Sequence, residues 1–261
     1  MKLAIYQVDA FAEKQFEGNP AAVVPLEAWL PDATMQAIAE ENNLAETAFF
    51  VPTEKGFHIR WFTPTSEVKL CGHATLASAH VLFNALNYQH DVISFASLSG
   101  ELLVSKTDQL LTLDFPTQAP ENCATPSELI TGLGITPAAC LKHDDYIAVF
   151  EDEADVLNIR PDHTALNELD LRGVIATAPS EEFDFVVRFF GPKVGIPEDP
   201  VTGSAFTQAV PYWSDRLNKL VLHAKQVSSR GGKLLCEHRG DRVLISGSAI
   251  TYLEGKIEIS S

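Results

Sequence analysis

Two stretches of the 261-residue chain repeat one pattern, and the repeat limits the fold more than any other feature. Ile59-Arg60-Trp61-Phe62-Thr63-Pro64 is followed by Cys71-Gly72-His73-Ala74 and a helical periodicity; Val187-Arg188-Phe189-Phe190-Gly191-Pro192 is followed by Val201-Thr202-Gly203-Ser204-Ala205 and a second one. The shared order is R-x-F-x-P, a loop, G-x-A and a helix, with three more residues in the second loop. Self-similarity of this kind is the signature of duplicated supersecondary units. It predicts two similar strand-loop-helix units, one in each half.

Length allows two domains, and the stretch from Phe115 to Pro126, with three prolines and little periodicity, is the expected linker. The expected domains are 1–117 and 118–261, with the last strand able to pack back on the first domain. Short apolar runs bounded by Gly, Pro, Asn or Asp read as strands at 3–8, 57–62, 92–96, 101–106, 110–115, 147–150, 174–177 and 183–190, with three more between 233 and 259. Helical periodicity appears at 31–43, 74–86 and 205–217. The expected class is α+β, mostly sheet.

Nineteen Lys and Arg against thirty-five Asp and Glu give a net charge of −16, which would repel a phosphate backbone or an anionic membrane. Nucleic acid and membrane are therefore not expected partners. The N-terminus reads as a first strand and not as a signal peptide, and no apolar run is long enough to span a bilayer, so a cytoplasmic location is the default. Cys71, Cys123, Cys140 and Cys236 include no C-x-x-C, and the eight histidines form no H-x-x-x-H or H-x-H pair, which leaves a metal site little support.

Each repeat opens its helix with glycine and small residues, so backbone N–H groups there are unobstructed and can hold an anion. Two such helix starts across an interdomain cleft could hold a carboxylate. Gly72 and Gly203 could equally serve only to turn the chain. Glu46, flanked by Ala45, Ala48 and Phe49, sits in apolar company that raises a carboxyl's proton affinity, as a general acid/base near neutral pH requires. Its bland alternative is a surface acid at a strand end. Asp199, in Glu198-Asp199-Pro200, is a second acid beside the second helix start, or a turn residue. His73 stands where the helix dipole disfavours an imidazolium, so a neutral ring is expected, or simply a packed one. Gly18-Asn19-Pro20 reads first as a turn, and Ser229-Arg230-Gly231-Gly232 as a hairpin loop. Ser204 lacks the G-x-S-x-G context of a serine hydrolase.

In this order the pieces resemble the phenazine-biosynthesis-like (PhzF-like) family, which has the diaminopimelate-epimerase fold. The matching segments are Val8-Asp9-Ala10-Phe11, Glu17-Gly18-Asn19-Pro20-Ala21-Ala22-Val23, Leu44-Ala45-Glu46-Thr47-Ala48-Phe49, Arg60 to Pro64, Leu70 to Ala77 and Glu198 to Ala205, spanning roughly four-fifths of the chain. The resemblance implies two related domains, each a barrel-like, mostly antiparallel sheet around a central helix, with the site in the cleft between them and commonly a homodimer. It also implies an isomerase that moves a proton on a small carboxylate substrate without metal or organic cofactor. Carried over by position, Glu46 becomes the acid/base, Asp199 and His73 assist it, and Asn19, Gly72, Gly203 and Ser204 contact the ligand.

The sequence departs from both branches of that fold. Its epimerases use two cysteine bases; Cys71 matches the first, but Pro200 stands where the second would be, so a two-thiol racemase is not available. Phe206 replaces a histidine found in many members, and Ala45 a serine. An epimerase-like enzyme pairing Cys71 with a carboxylate, and a non-catalytic small-molecule binding or scaffolding protein, are the alternative expectations.

Overall fold

A computed structural model describes residues 1–259. In chain order it contains β1 (Lys2–Ala10), β2 (Asn19–Pro25), α1 (Asp32–Asn42), β3 (Glu46–Thr53), β4 (Gly56–Phe62), β5 (Glu67–Val68), α2 (Gly72–Asn84), β6 (Val92–Ser97), β7 (Gly100–Thr107), β8 (Leu110–Pro116) and β9 (Glu121–Asn122). There follow α3 (Ser127–Leu133), β10 (Ala139–Lys142), β11 (Tyr146–Val149), α4 (Glu153–Asn158), α5 (His163–Asn167), β12 (Val174–Pro179), β13 (Phe185–Gly191) and a 3-10 turn at Pro192–Val194. The last elements are β14 (Ile196–Asp199), α6 (Gly203–Leu217), β15 (Val221–Gln226), β16 (Gly232–His238), β17 (Arg242–Gly247) and β18 (Ala249–Glu258). The chain divides into two compact units: Met1–Asp114 with the segment from Ser246 onward, and Phe115–Ile245.

The repeat in the sequence is a repeat in sheet topology. In the first unit β1 and β2 pair antiparallel, β2 and β3 parallel, β3 and β4 antiparallel, β4 and β6 parallel, β6 and β7 antiparallel. In the second unit β10 to β11, β11 to β12, β12 to β13, β13 to β15 and β15 to β16 follow the same alternation. The crossover between β4 and β6 carries α2, and the one between β13 and β15 carries α6. The echoed arginines have matching work. Arg60 forks onto Glu67 of β5 through two bonds of 2.7 Å, and Arg188 forks onto Glu198 of β14 through bonds of 2.7 and 3.0 Å. Each guanidinium also lies over the phenylalanine two residues on, Phe62 at 5.1 Å and Phe190 at 4.8 Å. Bidentate Arg–carboxylate pairs fix geometry as well as charge, so each pins the short strand that leads into its helix.

α2 is buried nearly all round, as a helix must be when it is not amphipathic. Its polar residues are absorbed locally: Thr75 Oγ1 donates to the Cys71 carbonyl at 2.6 Å and Ser78 Oγ to the Ala74 carbonyl at 2.8 Å. It packs against β1, β2, β3 and β18. α6 packs against β12, β15 and β16, with Trp213 stacked on Phe185 at 5.5 Å and its indole N–H donating to Thr177 Oγ1. Pro211 lies inside α6 and has no N–H for the Thr207 carbonyl. That carbonyl instead accepts the backbone N–H of Gln118 at 3.1 Å.

Strands β2, β5, β9, β10, β14 and β15 lie outside the apolar runs expected to form strands, and other features differ from the sequence expectation as well. The turn expected at Gly18-Asn19-Pro20 comes earlier, where Phe16 (φ 74°) and Gly18 (φ 67°) adopt left-handed conformations; Asn19 already begins β2. Helices α3, α4 and α5 are too short to show a periodicity. Phe206, which the resemblance marked as a departure at the site, points into the core of the second unit, wholly buried with its ring 6.1 Å from that of Phe185. No helix among the described residues is long and apolar enough to cross a membrane.

Candidate active site

In the first unit four side chains from three segments converge. β2 and β3 run parallel with Ala21 opposite Glu46, so Asn19 and Glu46 lie near the same end of neighbouring strands. α1 ends on Asn43 in the left-handed conformation (φ 49°), which turns the chain toward β3. α2 begins beside them with Cys71 as its N-cap residue. His73 Nε2 is 3.1 Å from Glu46 Oε2, an ion-pair distance although the ring N–H is not well aligned with that oxygen. His73 Nδ1 is 3.3 Å from Asn19 Nδ2 and 3.5 Å from Cys71 Sγ. All four are buried: Asn19 0%, His73 5%, Glu46 and Cys71 7% exposed.

The electrostatics reverse two sequence expectations. Burial by itself raises the Glu46 carboxyl, as its apolar flanks suggested, but the charge and contact of His73, with a bond from Cys71, outweigh it and hold Glu46 below its ordinary value. Burial would likewise lower His73, yet its contacts with the Cys71 sulfur and the Glu46 carboxylate lift it well above its ordinary value. The Cys71 thiol is pushed up to about 11, first by burial and then by Glu46, so at neutral pH it carries no charge and the carboxylate is what stabilises the imidazolium. His73 is therefore charged, not neutral as its helix position suggested, because a carboxylate at 3.1 Å is a stronger field than a partial dipole charge.

These three residues also offer one metal-ligand atom each, all within 4.8 Å of one another. A tetrahedral metal with an open position takes three such ligands. Binding one here would require both the imidazolium and the thiol to give up a proton.

The second unit places the other candidate residues together at the start of α6. Asp199 Oδ2 accepts from Thr202 Oγ1 at 2.6 Å, so the N-cap hydroxyl faces this acid and leaves the helix start without a side-chain cap. Ser204 Oγ accepts from Arg172 Nη2 at 3.0 Å. Arg172 is clamped in turn on the wholly buried Asp145, which also accepts from Gln208 Nε2 at 2.7 Å. Gln226, also wholly buried, donates to the Asp199 carbonyl and accepts the Thr202 N–H at 2.8 Å. Sequence reasoning missed Asp145, Arg172, Gln208 and Gln226; they stand on different elements with no spacing pattern to mark them.

Comparison with known proteins agrees with the topology. The family described as phenazine biosynthesis-like protein matches residues 8–255. A protein of Pseudomonas aeruginosa named an uncharacterized isomerase is 53% identical over 259 residues, covering 99% of this chain and 100% of its own. A crystal structure of a PhzF-family protein from Enterococcus faecalis superposes with a TM-score of 0.97 at 48% identity, covering 99% of this chain and 100% of that one. A hydroxyproline epimerase from Agrobacterium vitis shares the fold alone, with a TM-score of 0.63 at 10% identity, covering 98% of this chain and 92% of that one. The mixed α+β architecture, duplicated about two buried helices, is that of the PhzF proteins and their epimerase-fold neighbours, and the chain belongs to the phenazine biosynthesis-like family.

Proposed function

We propose that the protein is an isomerase that moves a proton on a small carboxylate substrate by general acid/base catalysis, with no metal or organic cofactor. The observation that carries this reading is the buried Glu46–His73 pair. With Glu46 held below and His73 above its ordinary value, the resting pair is carboxylate and imidazolium, a base and an acid side by side. Glu46 takes a proton from a substrate carbon, and the imidazolium compensates the charge and returns a proton at a second position. Asn19 Nδ2 faces His73 Nδ1 at 3.3 Å and donates to it when the ring is neutral; turning the amide over would present its oxygen to the Nδ1–H of the imidazolium. Gly72 at the start of α2 in the first unit, and Gly203 and Ser204 at the start of α6 in the second, each supply backbone N–H groups that no N-cap side chain engages, each start being suited to a carboxylate. Asp199 is the second acid that assists proton transfer. Names of isomerases among the relatives support the reaction class.

The contact of Cys71 with His73 at 3.5 Å favours a second reading, in which the thiol is the acid or base opposite Glu46, as in an epimerase. Its elevated proton affinity makes it a proton donor more readily than a base.

Solvent-deuterium exchange into a panel of amino acids and dihydroaromatic acids, followed by NMR for the parent chain and Glu46→Gln, tests the proposal. Exchange that disappears in the variant supports it. Exchange that survives Glu46→Gln but not Cys71→Ala supports the second reading. Tight binding of a panel member without any exchange would leave a binding protein as the remaining account.

A further inference from the structure

The second unit contains a pair of thiols that the proton-transfer chemistry does not use. Cys123 follows β9, and Cys140 lies in β10; Asn122 is paired with Leu141 and Glu121 with Lys142, so the next residues along this antiparallel register are Cys123 and Cys140. The Cys123 N–H donates to the Cys140 carbonyl at 3.0 Å, and the two sulfurs are 3.5 Å apart. Directly opposed residues of an antiparallel pair have Cα atoms about 4.5–5.5 Å apart, inside the range of about 4.4–6.8 Å that disulfides span. Cys123 is partly exposed, whereas Cys140 is buried. The other two cysteines, Cys71 and Cys236, are buried in other segments of the chain.

We propose that Cys123 and Cys140 form a dithiol oxidation site, closed reversibly to a cross-strand disulfide by a low-molecular-weight disulfide such as glutathione disulfide. Cys123, the accessible member, attacks one sulfur of the oxidant as its thiolate and releases one thiolate of the oxidant. Cys140 then loses its proton to solvent and attacks the Cys123 sulfur, and the second oxidant thiolate leaves. Two protein thiols are oxidised by two electrons and one small disulfide is reduced to two thiols. Burial pushes the Cys140 thiol up to about 12, so this second step is the slow one and accelerates with pH. The bond would tie the segment entering α3 to β10, next to Tyr146, whose hydroxyl donates to Asp170 at 2.7 Å.

The test treats the folded full-length protein with excess glutathione disulfide at mildly alkaline pH, followed by acid quenching, intact mass and peptide mapping. The expected product has lost two hydrogens, carries a Cys123–Cys140 cross-linked peptide and is restored by dithiothreitol; Cys123→Ser lowers the cross-linked fraction at least tenfold, while Cys236→Ser leaves it unchanged. A stable glutathione adduct on Cys123 with no cross-link overturns the proposal. So does a cross-link through Cys71 or Cys236, or a native chain that stays reduced while the urea-unfolded chain oxidises fully. Neither result depends on turnover, so the outcome is independent of the proposed isomerase activity.

Discussion

Glu46, the first residue of β3, and His73, the second residue of α2, meet at 3.1 Å, and each holds the other in its charged form. Taking away the carboxylate removes the chief reason for the imidazolium. In Glu46→Gln the ring keeps its burial, which favours the neutral form, so its pKa falls far below the parent's. Titration of the His73 ring resonances by NMR checks this. Proton exchange into substrate falls by about 10²–10⁴-fold in the same variant, the usual worth of a positioned acid/base.

The pair also sets the pH dependence of stability. Glu46 has a depressed folded value, so its contribution is present above the ordinary 4.5 and is lost as pH falls through the lower folded value. His73 has a raised folded value, so its contribution is complete below the ordinary 6.5 and disappears as pH rises through the folded value. Their joint contribution to the thermal midpoint is therefore largest between the two ordinary values and declines above 6.5. Scanning calorimetry of the parent and Glu46→Gln across pH isolates it as the difference between the two curves; a parent that gained on the variant above pH 6.5 would contradict the assignment.

Cys71 should behave as an inert thiol toward alkylation. With its pKa pushed up to about 11, its thiolate fraction at neutral pH is on the order of a hundredfold below that of a free cysteine. Iodoacetamide labelling followed by mass spectrometry is expected to reach the partly exposed Cys123 well before Cys71. Rapid labelling of Cys71 in the native state would show an activated thiol and strengthen the epimerase-like reading.

The echoed arginines differ in depth. Arg188 is 8% exposed and, besides Glu198, donates to the Val156 and Ile159 carbonyls at 3.0 and 2.9 Å. Arg60, half-buried, adds to its bond with Glu67 the exposed Asp32 and ring contacts with Trp29 and Phe62, but no buried carbonyl. Breaking a buried pair from one side costs about 3–5 kcal/mol, while surface pairs contribute about 0–1 kcal/mol. Arg188→Ala is expected to cost about 3 kcal/mol in urea unfolding and Arg60→Ala about 1 kcal/mol. Equal losses would mean that the shared motif carries equal weight in both units.

Gly18 immediately precedes Asn19 and has φ 67°. A methyl group there would overlap the Ala10 carbonyl oxygen in β1, and backbone cannot rotate away as a side chain can. Gly18→Ala should cost more than about 2 kcal/mol and displace Asn19 from His73. Loss of exchange activity at a temperature where the variant is still folded by circular dichroism would separate the second effect from the first.

The duplication could be read in the sequence because its marks are local: an arginine in a strand, a proline after it, a glycine at a helix start. Glu46 stood out for its apolar neighbours, of which Ala48 and Phe49 are fully buried and Ala45 half-buried. Its protonation could not be read that way, since a residue from another element decides it. The same is true of Arg172 and Asp145, which meet only after β11 and β12 pair. Asn19 carried turn chemistry in its neighbours, and the bend is complete one residue before it.

The pairing of β1 with β18 runs from Lys2↔Glu258 to Ala10↔Ala249, and it bears on the order in which a growing chain acquires structure. The first unit takes this strand from beyond the second, which is one continuous segment, Phe115–Ile245. During synthesis the continuous unit has all its strands before the last ones of the other have been made. The customary N-terminal-first order of folding is thus inverted: β1 waits with one edge open until Ala249–Glu258 has been made, and the helix bearing His73 settles into its complete surroundings only after the second unit is available.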